Sequence, residues 1–274
     1  MTSEAASKGV LPETSNGQLR EWLPAVGVVA LAAWVIWNMP SYMLVTIGGN
    51  ANMQETYRTA TWLDWVILAL LPVVFIHGVL TVQRSHLEYA EWGVFDRVSV
   101  FIGRVTMLLV VLMVSVMIFE VVLRYVFERP TLWANELTLW IAGFLFLFAG
   151  LYAMQQRSHI AIYLGYDLMP RWAQRLANVL TVIFILLFNA ALIWGGWGEA
   201  KAQFLRWETF GTAFDPPIPA TLSPMILIVV TLVSIQAVSN LIRDWNREPE
   251  HHSAVDEVDP EEIAAIKRAL GRDD

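Results

Sequence analysis

Six stretches of this chain, each close to twenty residues or longer, pass with almost no charge. They lie within Trp22 to Gly48, within Trp65 to Val82, from about Val105 to Phe127, from Leu137 to Met154, from Leu176 to Gly198, and within Ile218 to Ile242. A hydrocarbon layer about 30 Å thick is crossed by roughly 20 apolar residues in helical form. Inside lipid, only helices and closed barrels satisfy every backbone group, and unbroken apolar runs without alternation select helices. The sequence therefore predicts an all-α integral membrane protein with about six transmembrane helices. Composition agrees, since 16% of the 274 residues are charged, against about 25% in a soluble domain. The thirteen tryptophans suit a chain with two membrane–water boundaries, where an indole can keep one end apolar and the other wet.

The first run reads as an uncleaved span rather than a signal peptide. A polar tail carrying Glu4, Glu13 and Glu21 precedes it, the run exceeds a signal h-region, and Pro40-Ser41-Tyr42 is a poor cleavage site. With six spans, 13 of the Lys and Arg residues fall on one side and 5 on the other. The positive-inside rule then predicts that both termini are cytoplasmic. The implied division is a cytoplasmic polar tail over 1–21, two N-terminal spans over 22–83, a four-helix region over 84–246 and an acidic cytoplasmic tail over 247–274.

Two stretches on the predicted cytoplasmic side are amphipathic. In His86 to Arg104, Trp92, Phe95, Ser99 and Ile102 recur at spacings of three and four. In His159 to Arg175, Ile160, Ile162, Leu164, Leu168 and Trp172 alternate with Asp167, Arg171 and Arg175. Both are expected as interfacial helices lying against lipid head groups, the alternative being extensions of the neighbouring spans. On the opposite side, Glu199 to Pro219 carries Trp207, Phe210 and Phe214 and ends in Asp215-Pro216-Pro217-Ile218-Pro219. Three prolines in four residues stiffen it into a rigid loop, a candidate docking surface.

A charge close to a lipid-spanning helix is costly and usually has an assignment. Glu120 and Arg124 are four apart and share a helix face, with the acid N-terminal, the better order. They are expected as a snorkelling interfacial pair or as a buried pair orienting the helix against a partner. Trp133 and Glu136 open the fourth span, where a carboxylate is favoured by the positive end of the helix dipole. Arg157 and His159 close that span and are expected to anchor its cytoplasmic end. Asn189, Gln236 and Asn240 lie within spans and are expected to hydrogen-bond across helices.

The residues for chemistry are missing. There are no cysteines, hence no disulfide, thiolate metal site or cysteine nucleophile. Neither a phosphate-cradling Gly-Lys-Ser/Thr loop nor a His-Glu-x-x-His pair occurs, and there is no Gly-x-Ser-x-Gly elbow. No basic patch points to nucleic acid. The expectation is a chain that is not an enzyme and has no metal, cofactor or catalytic residues. A haem-carrying cytochrome b-type membrane anchor is the competing class. It would need axial ligands within helices, and only His77 lies inside a predicted span, with His86 and His159 at span ends. A stand-alone transporter is the second rival, but no internal repeat and no mid-span charge appears.

The stretch from Glu120 to His159 resembles the DctQ-type small membrane subunit of tripartite ATP-independent periplasmic (TRAP) transporters. The resemblance rests on Arg124-Tyr125-Val126-Phe127 ending one helix, Pro130 and Trp133-x-x-Glu136 opening the next, and Arg157-x-His159-Ile160 just past it. It extends over Glu88 to Trp245 and leaves the two N-terminal spans outside. It implies a multi-pass protein of a bacterial or archaeal inner membrane. Such a subunit would scaffold a large elevator-type permease subunit that takes up organic acids or similar carboxylates on an ion gradient, usually sodium. It would also work with a periplasmic substrate-binding protein and with membrane lipids. On that reading, Glu120, Arg124, Trp133, Glu136, Arg157 and His159 are structural or subunit-interface residues.

Overall fold

A computed structural model of the chain describes residues 15–83, 93–157 and 169–245. These residues form eight helices and no strand. They are α1 (Ser15–Trp37), α2 (Met39–Thr46), α3 (Ala51–Thr56), α4 (Trp62–Thr81), α5 (Val94–Tyr125), α6 (Ala134–Gln155), α7 (Arg171–Arg206) and α8 (Ile218–Asp244). Five are long and apolar enough to cross a membrane, and α1 with α2 makes a sixth candidate. The all-helical membrane fold expected from the apolar runs is thus present.

The long helices pack as a row in the order α7, α8, α6, α5, α1, α4, with α4 also touching α5. Small residues set the closest crossings. A Cβ on Gly78 would strike the Phe101 ring, one on Gly103 the Tyr152 ring, and one on Gly143 the Leu222 side chain. Glycines let helix backbones approach in lipid, where packing rather than water exclusion drives association. Gly143→Leu is therefore expected to part α6 from α8 and to cut the yield of monodisperse protein in size-exclusion chromatography severalfold. Outward surfaces remain apolar, and in the apolar window of α7 only 6% is buried. A helix clothed in exposed Trp172, Phe184, Phe188 and Trp194 is suited to lipid rather than water.

Three boundaries differ from the sequence-based expectation. The first apolar run is not one straight span: it bends by 57° between α1 and α2. Asn38 marks the break, its side-chain amide donating to the Trp34 carbonyl at 3.0 Å, and Pro40 sits in the first turn of α2, where its missing N–H costs nothing. Pro40, Ser41, Tyr42 and Met43 are all buried. Protein rather than lipid therefore covers the start of α2, while Val45 and Ile47 beyond it are exposed. Second, the expected loop from Glu199 begins eight residues later, because α7 continues to Arg206.

Third, the expected interfacial helix over His86 to Arg104 is, from Val94 on, the opening of α5, which runs unbroken for 32 residues, about 48 Å. Ser99 and Ile102, expected on one face of that interfacial helix, are buried in the protein. Polar partners on α8 claim that face. Likewise Arg171 to Arg175 are the first turn of α7. Residues 86–92 and 159–168 of the two expected arms lie outside the described residues, as do residues 1–14 and 247–274 of the two tails, whereas Ser15 to Glu21, expected as polar tail, open α1.

Candidate functional site

Ionisable residues collect at the two ends of the row. Between them, the apolar parts of the spans carry no Asp, Glu, Lys or Arg. His77 stands on the exposed outer face of α4 and is the sole histidine among the described residues.

One end holds the link after α6, the N-terminus of α5 and the C-terminus of α8. Asp96, 1% exposed, is its centre. It accepts from the Gly93 backbone N–H, from Gln236 Nε2 at 2.8 Å, and from both terminal nitrogens of Arg243, one at 2.8 Å. Gln236 in turn accepts from Ser99 Oγ at 3.0 Å and donates to Asn240 Oδ1 at 2.9 Å. Asn240 donates to the Met154 carbonyl at 2.8 Å, satisfying an end of α6. Beside this chain, Arg157 takes a left-handed backbone (φ 54°) past α6 and grips Asp244 with Nε and Nη2, both at 2.7 Å. Such a fork is the strong form of a charge-assisted pair. Three helices are thus joined by one polar network. Gln236 and Asn240 make the cross-helix bonds that the sequence suggested. His159 lies outside the described residues.

The opposite end holds the three links at 38–61, 126–133 and 207–217. Glu120, 3% exposed, folds back over the second link. One carboxylate oxygen accepts from Arg124 Nη2 at 2.6 Å and Nε at 3.1 Å. The other accepts from the Thr131 backbone N–H at 3.0 Å and from its hydroxyl. Glu120 therefore ties the α5–α6 link to α5, while Arg124 stays half-exposed. Trp133 packs on Phe119 with ring centroids 6.0 Å apart. Glu136 reaches the third link, accepting from the Thr212 hydroxyl at 2.5 Å and the Asp215 N–H at 3.3 Å. Its work goes beyond complementing a helix dipole. Beneath Glu120 and Arg124, a shallow apolar groove of about 530 Å³ opens between α5 and α6, lined by Met113, Met117, Val121, Leu139 and Ala142.

The N-terminal helices contribute a second buried carboxylate at this end. Asp64, fully buried, accepts from Arg58 at 2.6 and 3.0 Å, from the Thr61 N–H and hydroxyl at 2.8 and 2.7 Å, and from Trp34 Nε1 at 3.1 Å. Tyr42 donates to the Asp64 carbonyl at 2.8 Å. One residue so fastens α1, α2 and the 57–61 link to α4. Hydrogen bonding to Asp64 also pushes the Arg58 guanidinium pKa further up. Sequence reasoning passed over Asp64, Asp96, Arg243 and Asp244. A signal existed: Thr61-x-x-Asp64 and Gly93-x-x-Asp96 each put an acid three residues after the position preceding an apolar helix, where its carboxylate accepts from that position's backbone N–H.

Among the described residues, hydrogen-bonded ion pairs at the two ends, with uncharged helix between, hold helices in place. Among the described residues, no three His, Asp or Glu side chains gather as a metal site would need. Residues 113–247 match the family model described as tripartite ATP-independent periplasmic transporters, DctQ component. No curated protein and no solved structure gives a match. The match begins within α5, so residues 88–112, which the sequence resemblance took in, lie before it, together with the N-terminal helices. Over residues 113–247 this multi-pass membrane chain is thus similar to the DctQ component of tripartite ATP-independent periplasmic transporters.

Proposed function

We propose that this chain is the small, non-catalytic membrane subunit of a TRAP transporter. In this reading it scaffolds a large elevator-type permease subunit, which takes up organic acids or similar carboxylates on an ion gradient from a periplasmic binding protein. The family match carries the reading. The distribution of charge supports it: a protein that moves a carboxylate across lipid needs ionisable or dipolar groups at mid-membrane depth, and here the charged groups sit at the ends. Static ion-pair networks suit a scaffold that stays fixed while its partner moves.

The charge count supports an orientation with the Asp96 end cytoplasmic and the Glu120–Asp64 end periplasmic. Because the chain has no cysteine, single cysteines report on this directly. Ala213→Cys, at an exposed position of the 207–217 link, is expected to react with a membrane-impermeant maleimide in intact cells, and Ser253→Cys only after lysis. The opposite pattern contradicts the orientation.

Affinity purification of the tagged chain from its native membrane in mild detergent tests the functional reading. The expected result is a colourless complex containing one large polytopic partner. A Soret band with redox subunits contradicts it.

A further inference from the structure

The N-terminal helices and the DctQ-matched region jointly build a recess at the end bearing the three links. It encloses about 390 Å³ and is walled by Trp37, Ser41, Tyr57, Arg58, Trp207 and Asp215. The first four belong to the N-terminal part and the last two to the matched part, so neither part forms the recess alone.

The recess is rigid on both sides. On the matched side, α7 ends with Trp207 in the left-handed region at φ 50°. The Glu208 N–H returns to the Gln203 carbonyl and the Trp207 N–H to that of Phe204, both at 3.0 Å. That pattern usually places glycine where Trp207 stands. A bulky residue there costs conformational energy. Burial of the indole among Met43, Met53, Phe204 and Ala220 offsets that cost. Two of those side chains come from the N-terminal helices. Trp37 also stacks on Phe214 at 6.2 Å, and Asn50 reaches the Arg206 carbonyl at 3.5 Å. The two additional spans thus clamp the 207–217 link.

The charge that remains in the recess is negative. Arg58 is matched by buried Asp64. Asp215 forms no ion pair among the described residues. Its Oδ1 accepts only from the Gly211 N–H at 2.6 Å, and it too is held at a left-handed φ of 56°. Behind it lies the Glu136 carboxylate, bonded to the Asp215 N–H. Burial and the Asp215 charge push the Tyr57 phenol pKa up. Ser41, 3% exposed, forms part of the recess wall. Two indoles, a phenol and an uncompensated carboxylate form a seat for a cation, since aromatic faces and a carboxylate both attract positive charge.

We propose that this recess receives a Lys or Arg side chain projecting from the periplasmic binding protein, and that the two additional N-terminal spans serve to complete it. The inference rests on the transporter reading above. It places the partner's contact on the composite recess rather than on the matched region alone.

Binding of the purified binding protein to the immobilised, detergent-solubilised transporter complex tests this by surface plasmon resonance. Asp215→Asn is the informative variant, because Asn keeps an oxygen for the Gly211 N–H and tolerates a left-handed backbone. The expected result is a Kd raised about tenfold, a weaker salt dependence, recovery in Asp215→Glu, and an unchanged amount of large subunit in the complex. Equal Kd values for wild type and Asp215→Asn overturn the seat while leaving the transporter reading intact. No binding to the wild-type complex overturns both. Free arginine is the competitor probe. Should it bind the complex through Asp215 without altering the binding protein's Kd, the recess takes a small solute and the partner assignment is overturned.

Discussion

Asp96→Ala is expected to be the most damaging single substitution in the chain. It would leave the partly buried Arg243 beside Gln236 without its carboxylate and would unmake the joint between α5 and α8. Removing one partner of a fully buried ion pair costs on the order of 3–5 kcal/mol, and the partial exposure of Arg243 puts this pair toward the lower end. That is a large share of a typical folding stability. The thermal midpoint of the purified protein, followed by tryptophan fluorescence in detergent, should fall by about ten degrees or more. The double variant Asp96→Ala, Arg243→Met should recover much of the loss, because it removes both charges together. A single variant as stable as wild type would mean that the network does not hold α8.

Asp64→Ala should have the second largest effect, confined to the N-terminal helices. Five donors converge on this carboxylate from α1, Arg58 and Thr61. Without it, the start of α4 loses its cap and Arg58 loses its anchor. Local opening of the 38–61 link should become about tenfold more frequent. Limited proteolysis of the purified protein measures this, with new cleavage near Arg58 and the DctQ-matched region still intact. Global unfolding in place of local cleavage would show that the N-terminal helices and the matched region are one cooperative unit. An unchanged cleavage rate would show that the Asp64 cluster contributes nothing to the brace.

The spans were legible because lipid imposes a simple demand, some twenty apolar residues without charge, and the sequence meets it repeatedly. The α1–α2 break was less legible. An apolar run looks the same whether lipid or protein covers it, and Pro40 is as compatible with the first turn of a new helix as with a kink. The start of α5 misled for a related reason: Phe95, Ser99 and Ile102 form a mixed helix face, and nothing local distinguishes a head group from the Gln236 amide as the partner of Ser99.

The candidate site divided in the same way. The local pairing of Glu120 with Arg124, four residues apart, could be read directly. The link from Glu136 to Thr212 and Asp215 spans 76 and 79 residues, and that from Asp96 to Arg243 spans 147. Such bonds depend on which helices become neighbours, and packing alone decides that. Asp64 and Asp96 still announced themselves locally as caps, but a cap and a cross-helix anchor use the same residue, and only the fold shows both roles.

Radiolabelled uptake into proteoliposomes shows whether this chain assists a transporter without carrying solute itself. Each combination of this chain, its large polytopic partner and the periplasmic binding protein would be compared under an imposed ion gradient. Uptake is expected only when all three are present, with none from this chain and the binding protein alone. Uptake by this chain without the large partner, or full uptake by the partner without this chain, would contradict it.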